Sequence, residues 1–218
     1  MHAHNRGVSE DETWVKAPGA ATLCVIAHGA GNDSRHPFFN GISEGLASQG
    51  ISSMRFDFPY MRAGRRAPDR PPALLEAWRE ALDSAGRRAS GLPLIASGKS
   101  LGGRMASLLA AEEGESFPAR GLVFFGYPLH APGRFDSLRD EHLRRVAVPM
   151  LFIEGTADPL ARFDLIGATV ASLGERARLA TVEGGDHSFR VRGAKRPDEE
   201  IGRDLGAVAA GFIREVVA

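Results

Sequence analysis

The 218-residue chain contains one cysteine, two tryptophans, two tyrosines and no net charge. Each scarcity excludes something. The lone thiol, Cys24, cannot close an intrachain disulfide, so a disulfide scaffold is ruled out. Lysine and arginine balance aspartate and glutamate at 27 each, which removes the positive field that nonspecific binding to nucleic acid or an anionic membrane requires. No apolar run reaches the roughly 20 residues that span a bilayer. The opening Met1–His2–Ala3–His4–Asn5–Arg6 is polar with no apolar signal segment behind it, so a cytoplasmic location is the expectation. No His/Cys/Asp cluster has metal-ligand spacing, and neither metal nor cofactor is expected. His2 and His4 are read as part of a flexible N-terminal tail over 1–11. Lysine occurs only at Lys16, Lys99 and Lys195, which reads as arginine-rich coding rather than as function.

What is present is a regular alternation. The length suits one domain, over 12–218. After a short edge strand at Thr13–Lys16, the unbroken apolar run Ala21–Ala27 has the pattern of a strand covered on both faces. Pro37–Ser48 carries Phe38, Ile42 and Leu46 at helical spacing. Strands at Ile51–Phe56, Pro93–Ser97, Gly121–Phe125, Pro149–Ile153 and Arg178–Val182 then alternate with helices at Pro71–Arg88, from the serine turn to Ala111, Leu138–Arg145, Ala161–Leu173 and Ile201–Val217. This predicts an α/β fold, with a mostly parallel central sheet and helices on both faces. Ligands in such sheets bind where loops leave the carboxyl ends of the strands. The chain's glycine-rich and polar segments fall at those loops.

The most informative stretch is Gly98–Lys99–Ser100–Leu101–Gly102–Gly103. Lying between a predicted strand and a predicted helix, it is a Gly-x-Ser-x-Gly turn that lifts the serine hydroxyl above the sheet edge. Gly98 and Gly102 are expected because a Cβ at either would collide as strand and helix close around a strained serine. A serine hydroxyl needs a base, and the base needs a group that holds its tautomer. His187, on a glycine-containing loop between the last strand and the last helix, is the best-placed base. His142 reads as a solvated helical side chain. Asp158, after the strand ending at Ile153, is preferred as the orienting acid over Asp186, which adjoins the histidine but would diverge from it on a turn. Backbone N–H groups of Leu101 and Ala30, with Gly31 as the alternative to Ala30, are the candidate oxyanion donors.

Other strand-end residues are candidates for contact with a ligand: His28, Gly31, Lys99, Tyr60, Tyr127 and His130. The His28 ring is expected to brace its loop, and Lys99 to face the mouth of the site. Arg62, Arg65, Arg66 and Arg70 crowd the Asp57–Arg70 segment. They read as a solvated loop in preference to an anion-attracting patch. Cys24, mid-strand, reads as a core thiol.

Taken together, Gly-Lys-Ser-Leu-Gly-Gly-Arg at 98–104, His-Gly-Ala-Gly at 28–31, Arg-Phe-Asp-Phe-Pro-Tyr at 55–60, Gly-Tyr-Pro-Leu-His at 126–130, Glu-Gly-Thr-Ala-Asp-Pro at 154–159 and Asp-His-Ser-Phe at 186–189 resemble the α/β-hydrolase superfamily. More narrowly, they resemble a small cap-less, dienelactone-hydrolase-like branch related to the testis-expressed hydrolase-like proteins and the hydrolase-like subunit of the non-specific-lethal chromatin complex. The likeness runs from residue 20 to the C-terminus and implies a serine triad at Ser100, Asp158 and His187. Dienelactone hydrolases use a cysteine nucleophile, and serine at 100 argues against that chemistry. The expectation is therefore a cofactor-free serine hydrolase of a small ester or thioester. The open alternatives are a non-catalytic scaffold on the same fold, and a peptidase or acyltransferase using the same triad. Between the strand ending near Gly126 and the next strand there is room for only a loop and a short helix, which predicts an open or shallow site covered by the Asp57–Arg70 and Tyr127–Asp136 loops.

Overall fold

A computed structural model describes residues 12–89 and 91–218; the tail expected over 1–11 lies outside the described residues. Strands β1 (Glu12–Val15), β2 (Leu23–Ala27), β3 (Ser52–Phe56), β4 (Leu94–Lys99), β5 (Ala119–Phe125), β6 (Met150–Gly155) and β7 (Ala177–Val182) form one sheet in the order β1-β3-β2-β4-β5-β6-β7. Only β1 runs antiparallel, along β3, and the other pairings are parallel. The helices are α1 (Pro37–Ala47), α2 (Pro59–Arg62), α3 (Pro71–Arg88), α4 (Leu101–Glu113), α5 (Phe163–Ser172) and α6 (Asp198–Val217).

The predicted alternation is observed, with two local corrections. The Asp57–Arg70 segment, expected to be all loop, opens with the single turn α2, where Pro59 sits in the first turn and loses no needed donor. The helix expected at Leu138–Arg145 is a five-residue 3-10 turn, Glu141–Arg145, too short to be more. Among the described residues no helix is long and apolar enough to cross a membrane.

Side-chain alternation along the central strands splits the core in two. Leu23, Val25, Ala96, Leu122 and Phe152 face α3, α4 and α5, packing on Trp78, Leu82, Met105, Leu109 and Ile166. Cys24, Ile26, Ile95, Phe125 and Leu151 face α1 and α6. Cys24 is a core thiol as expected: it donates to Ser97 Oγ at 3.4 Å, and burial pushes its pKa up to about 12.

Helices α1 and α6 approach backbone to backbone through glycines the sequence reading passed over. A Cβ on Gly41 would lie 1.9 Å from Glu199 O, on Gly45 2.2 Å from Arg203 O, on Gly202 2.0 Å from Phe38 O, and on Gly206 2.5 Å from Ile42 O. The pair matters to the site because α1 carries Phe38, whose ring stacks on Phe189 at 6.0 Å, two residues beyond His187. Gly211, also on α6, meets nothing within 4 Å of an added Cβ. Opposite outcomes on one helix are therefore expected. Gly202→Ala should cost about 2–3 kcal/mol through overpacking. Gly211→Ala should stabilise by roughly 0.5–1 kcal/mol through helix propensity. Urea unfolding of the two variants against the parent measures both.

Candidate active site

The site begins with a backbone strain. Ser100, between β4 and α4, has φ 49 and ψ −112, a conformation that side chains rarely adopt and that only surrounding packing can hold. The packing is glycine on glycine. A Cβ on Gly98 would lie 2.4 Å from Gly103 N, on Gly103 2.7 Å from Gly98 O, and on Gly102 2.6 Å from both Ala27 O and His28 O. Ser100 N donates to Phe125 O, tying the turn to β5. Trp78 Nε1 donates to Gly102 O at 3.1 Å, fixing the start of α4 from α3.

The loops after β6 and β7 are stitched together in a similar way. A Cβ on Gly155 would lie 2.1 Å from Gly185 O. Thr156 N donates to Val182 O, Ala157 N to Gly185 O, and Gly184 N to Thr156 Oγ1. This contact brings Asp158 to His187: Nδ1 of the ring lies 2.6 Å from Asp158 Oδ2 and Nε2 lies 2.9 Å from Ser100 Oγ. Asp158 is buried, and its other oxygen accepts from Leu160 N at 2.7 Å. A carboxylate so held keeps Nδ1 protonated and leaves Nε2 free to accept from the serine. Asp186, the rival acid, is occupied otherwise: its Oδ1 accepts from Ser188 N and Arg190 N, capping the turn in which Phe189 has φ 62.

Above the serine turn lies the 28–31 loop. A Cβ on Gly29 would sit 3.5 Å from Ser100 Cβ and 3.3 Å from Lys99 O, so the loop passes directly over the turn. Among the described residues neither the Ala30 N–H nor the Leu101 N–H has a protein acceptor. Leu101 opens α4, adding the positive end of that helix. Gly31, exposed, takes φ 86 and closes the loop.

His28 braces this loop. Its Nδ1–H donates to Gly29 O at 2.8 Å and its Nε2 accepts from Phe58 N at 3.0 Å. Both ring nitrogens are used and the ring is 1% exposed, so it does not contact substrate. Burial pushes its pKa down, and with Nε2 as acceptor the ring is neutral, so its 3.7 Å approach to Asp57 is not an ion pair.

Five further expectations need correction. Tyr60, Tyr127 and His130 are fully buried and cannot line a pocket. Tyr60 packs edge-on to His28, its hydroxyl unpartnered among the described residues. Tyr127 donates through its hydroxyl to Arg139 O at 2.7 Å. His130 bonds Ala131 O and accepts from Arg162 N, pinning the loop after β5 to the one after β6. Lys99 does not face the mouth: its Nζ is buried without a hydrogen-bond partner, 5.6 Å from the Phe189 ring centroid. His142, expected in solvent, is 7% exposed with Nε2 2.8 Å from Ser107 Oγ. Of the loop arginines, Arg65 is held by Asp69 at 2.7 Å. Among the described residues no group of histidine, cysteine and carboxylate side chains is arranged to hold a metal ion.

Comparison with known proteins agrees with this architecture. The model of the α/β hydrolase domain matches residues 20–214. The chain belongs to the α/β-hydrolase family. Solved structures similar to it include a dienelactone hydrolase from Anabaena variabilis, at TM-score 0.75 and 21% identity over 95% of this chain and 92% of that one. Est1E from Butyrivibrio proteoclasticus, with ferulic acid bound, matches at TM-score 0.73 and 15% identity over 95% of each chain. A Xanthomonas campestris α/β serine hydrolase described as without lid matches at TM-score 0.71 and 16% identity over 98% of each. At these identities the likeness shows the fold.

The buried polar groups make two checks possible. Tyr60→Phe removes an unpartnered hydroxyl and should be neutral to stabilising by about 1 kcal/mol, with kcat/KM unchanged; a drop in activity would return Tyr60 to the site. For His142, burial, then Arg104 and Arg145, push the pKa down to about 4. The unfolded chain therefore binds the extra proton first, and its stabilising share, intact above pH 6.5, is lost as pH falls toward 4. Thermal melts across that window should show the loss in the parent and a smaller one in His142→Gln.

Proposed function

We propose that this α/β hydrolase is a serine hydrolase of small esters or thioesters, with residues 12–218 acting as one catalytic domain in the reducing interior of the cell. The observation that carries the reading is the hydrogen-bonded chain from Ser100 Oγ through His187 to Asp158, at 2.9 and 2.6 Å, ending in a serine held at φ 49. Supporting the location are the single buried thiol and the absence, among the described residues, of a membrane-crossing helix.

In the proposed reaction Ser100 Oγ attacks the acyl carbon while His187 Nε2 takes its proton. The N–H groups of Leu101 and Ala30 receive the oxyanion. Collapse expels the alcohol or thiol, which recovers the proton from His187. Water, deprotonated by the same nitrogen, then attacks the acyl-enzyme; the acid leaves and Ser100 regains its proton. Asp158 stays ionised throughout and steadies the imidazolium. A scaffold that did no chemistry would have no use for a strained serine beside a buried carboxylate.

Labelling by a fluorophosphonate and hydrolysis of a short-chain nitrophenyl ester test the reading. Ser100→Ala should abolish labelling. His187→Ala should lower kcat on the order of 10⁴-fold or more, and Asp158→Asn about 10⁴-fold through the wrong tautomer. Equal labelling of parent and Ser100→Ala would refute it.

A further inference from the structure

One basic group remains unused by that chemistry. The Lys99 side chain leaves β4 beside the 28–31 loop, where its Cγ would lie 3.4 Å from a Cβ on Gly29. It then passes behind the serine turn. A Cβ on Gly126 would lie 2.9 Å from Lys99 Nζ, 3.3 Å from His187 O and 3.4 Å from His187 Cε1. The amine is therefore seated at the back of the catalytic loop, with the Phe189 ring on its other side and three unused donors. Leaving a lysine in such a place is costly unless its charge is used.

We propose that Lys99 is a positioning residue for the His187–Asp158 pair. Its ammonium attracts the Asp158 carboxylate, seats the 183–189 loop against Phe189, and opposes premature protonation of His187. The inference rests on the serine-hydrolase reading above. The groups that face the amine are few. Asp158 from the loop after β6, Glu154 from β6 and Asp186 from the loop after β7 favour its charged form. Glu154 is fully buried and pushed up by that burial, with the amine working against the shift. On the β2 side stands His28, neutral and with both nitrogens occupied. From α1 comes only the Phe38 ring, stacked behind Phe189. Burial outweighs the carboxylates and brings the amine down to about 8. Lys99 is then an ammonium at neutral pH and loses its charge just above it.

The chain's three lysines make the test direct. Protein carrying [13Cε]-lysine should give three resonances, assigned with Lys16→Arg and Lys195→Arg, one of them titrating near pH 8. The His187 ring 13Cε1 signal should show an inflection at that same midpoint. In Lys99→Met, kcat/KM for a nitrophenyl ester should lose its alkaline inflection near pH 8 and its acidic limb should move up by about 0.5–1 pH unit. KM should be unchanged, since the amine does not touch substrate. A folded Lys99→Met with the parent profile on both limbs overturns the inference. Should that variant not fold, a His187 signal blind to the lysine midpoint in the parent overturns it equally. Failure of the fluorophosphonate to label Ser100 would instead refute the hydrolase reading, while the lysine–histidine coupling would still decide this one by NMR.

Discussion

The closest contact at the centre of the site is between backbones. Ser100 keeps φ 49 only because Gly98, Gly102 and Gly103 allow β4, α4 and the end of β2 to meet at distances no Cβ tolerates. The strain, of order 1–3 kcal/mol, is offset by two buried cores on either side of the sheet and by the anchors Trp78 to Gly102 O and Ser100 N to Phe125 O. The same contact sets the height of the Leu101 N–H and the passage of the 28–31 loop overhead, so hydroxyl and backbone donors are placed by one geometry. The chemistry is thus a property of the packed sheet edge, and it would not survive a shift of α4 along its axis.

A second close approach, Gly155 on Gly185, does for Asp158 and His187 what the first does for Ser100. Asp158 is buried, and Leu160 N and His187 Nδ1 supply its hydrogen bonds. The histidine loop in turn is held by Asp186 capping its own turn and by Phe189 stacked on α1. That stack depends on the glycine seam between α1 and α6. A contact on the far face of the sheet is therefore mechanically continuous with the catalytic ring.

The repeating strands and helices were readable because β2, β4, β5 and β6 are covered on both faces and must be apolar throughout. The order Ser100, Asp158, His187 was readable because parallel topology sends each strand-end loop to the same edge. What stayed hidden concerns where side chains turn after leaving that edge. Tyr60, Tyr127 and His130 stand on strand-end loops, but those loops fold back, and Tyr127 and His130 are spent on bonds to Arg139 O, Ala131 O and Arg162 N. A polar residue after a strand has the same sequence signature whether it reaches for ligand or for backbone. His142 misled by its charged neighbours, because Ser107, its partner, lies 35 positions away. Lys99 misled for a subtler reason: the turn that lifts Ser100 out points the preceding residue in. The glycines of α1 and α6 carry a signal, Gly-x-x-x-Gly in each helix, but it acquires meaning only when the two helices are known to touch.

With those side chains buried, the groups placed against Ser100 are the backbone of the Gly29 loop, Leu101 at the start of α4, and the His187 ring. Such a site stabilises charge at an acyl oxygen well, since aligned N–H groups need no reorganisation. It discriminates among acyl groups poorly, since selectivity between related substrates comes from pockets that reward or reject particular side groups. Under the proposed chemistry the fold therefore provides a reactive centre whose substrate range is limited mainly by size and approach. The Asp57–Arg70 segment and the loop after β5, expected from the sequence to cover the site, are the elements where any sharper selection would have to be built.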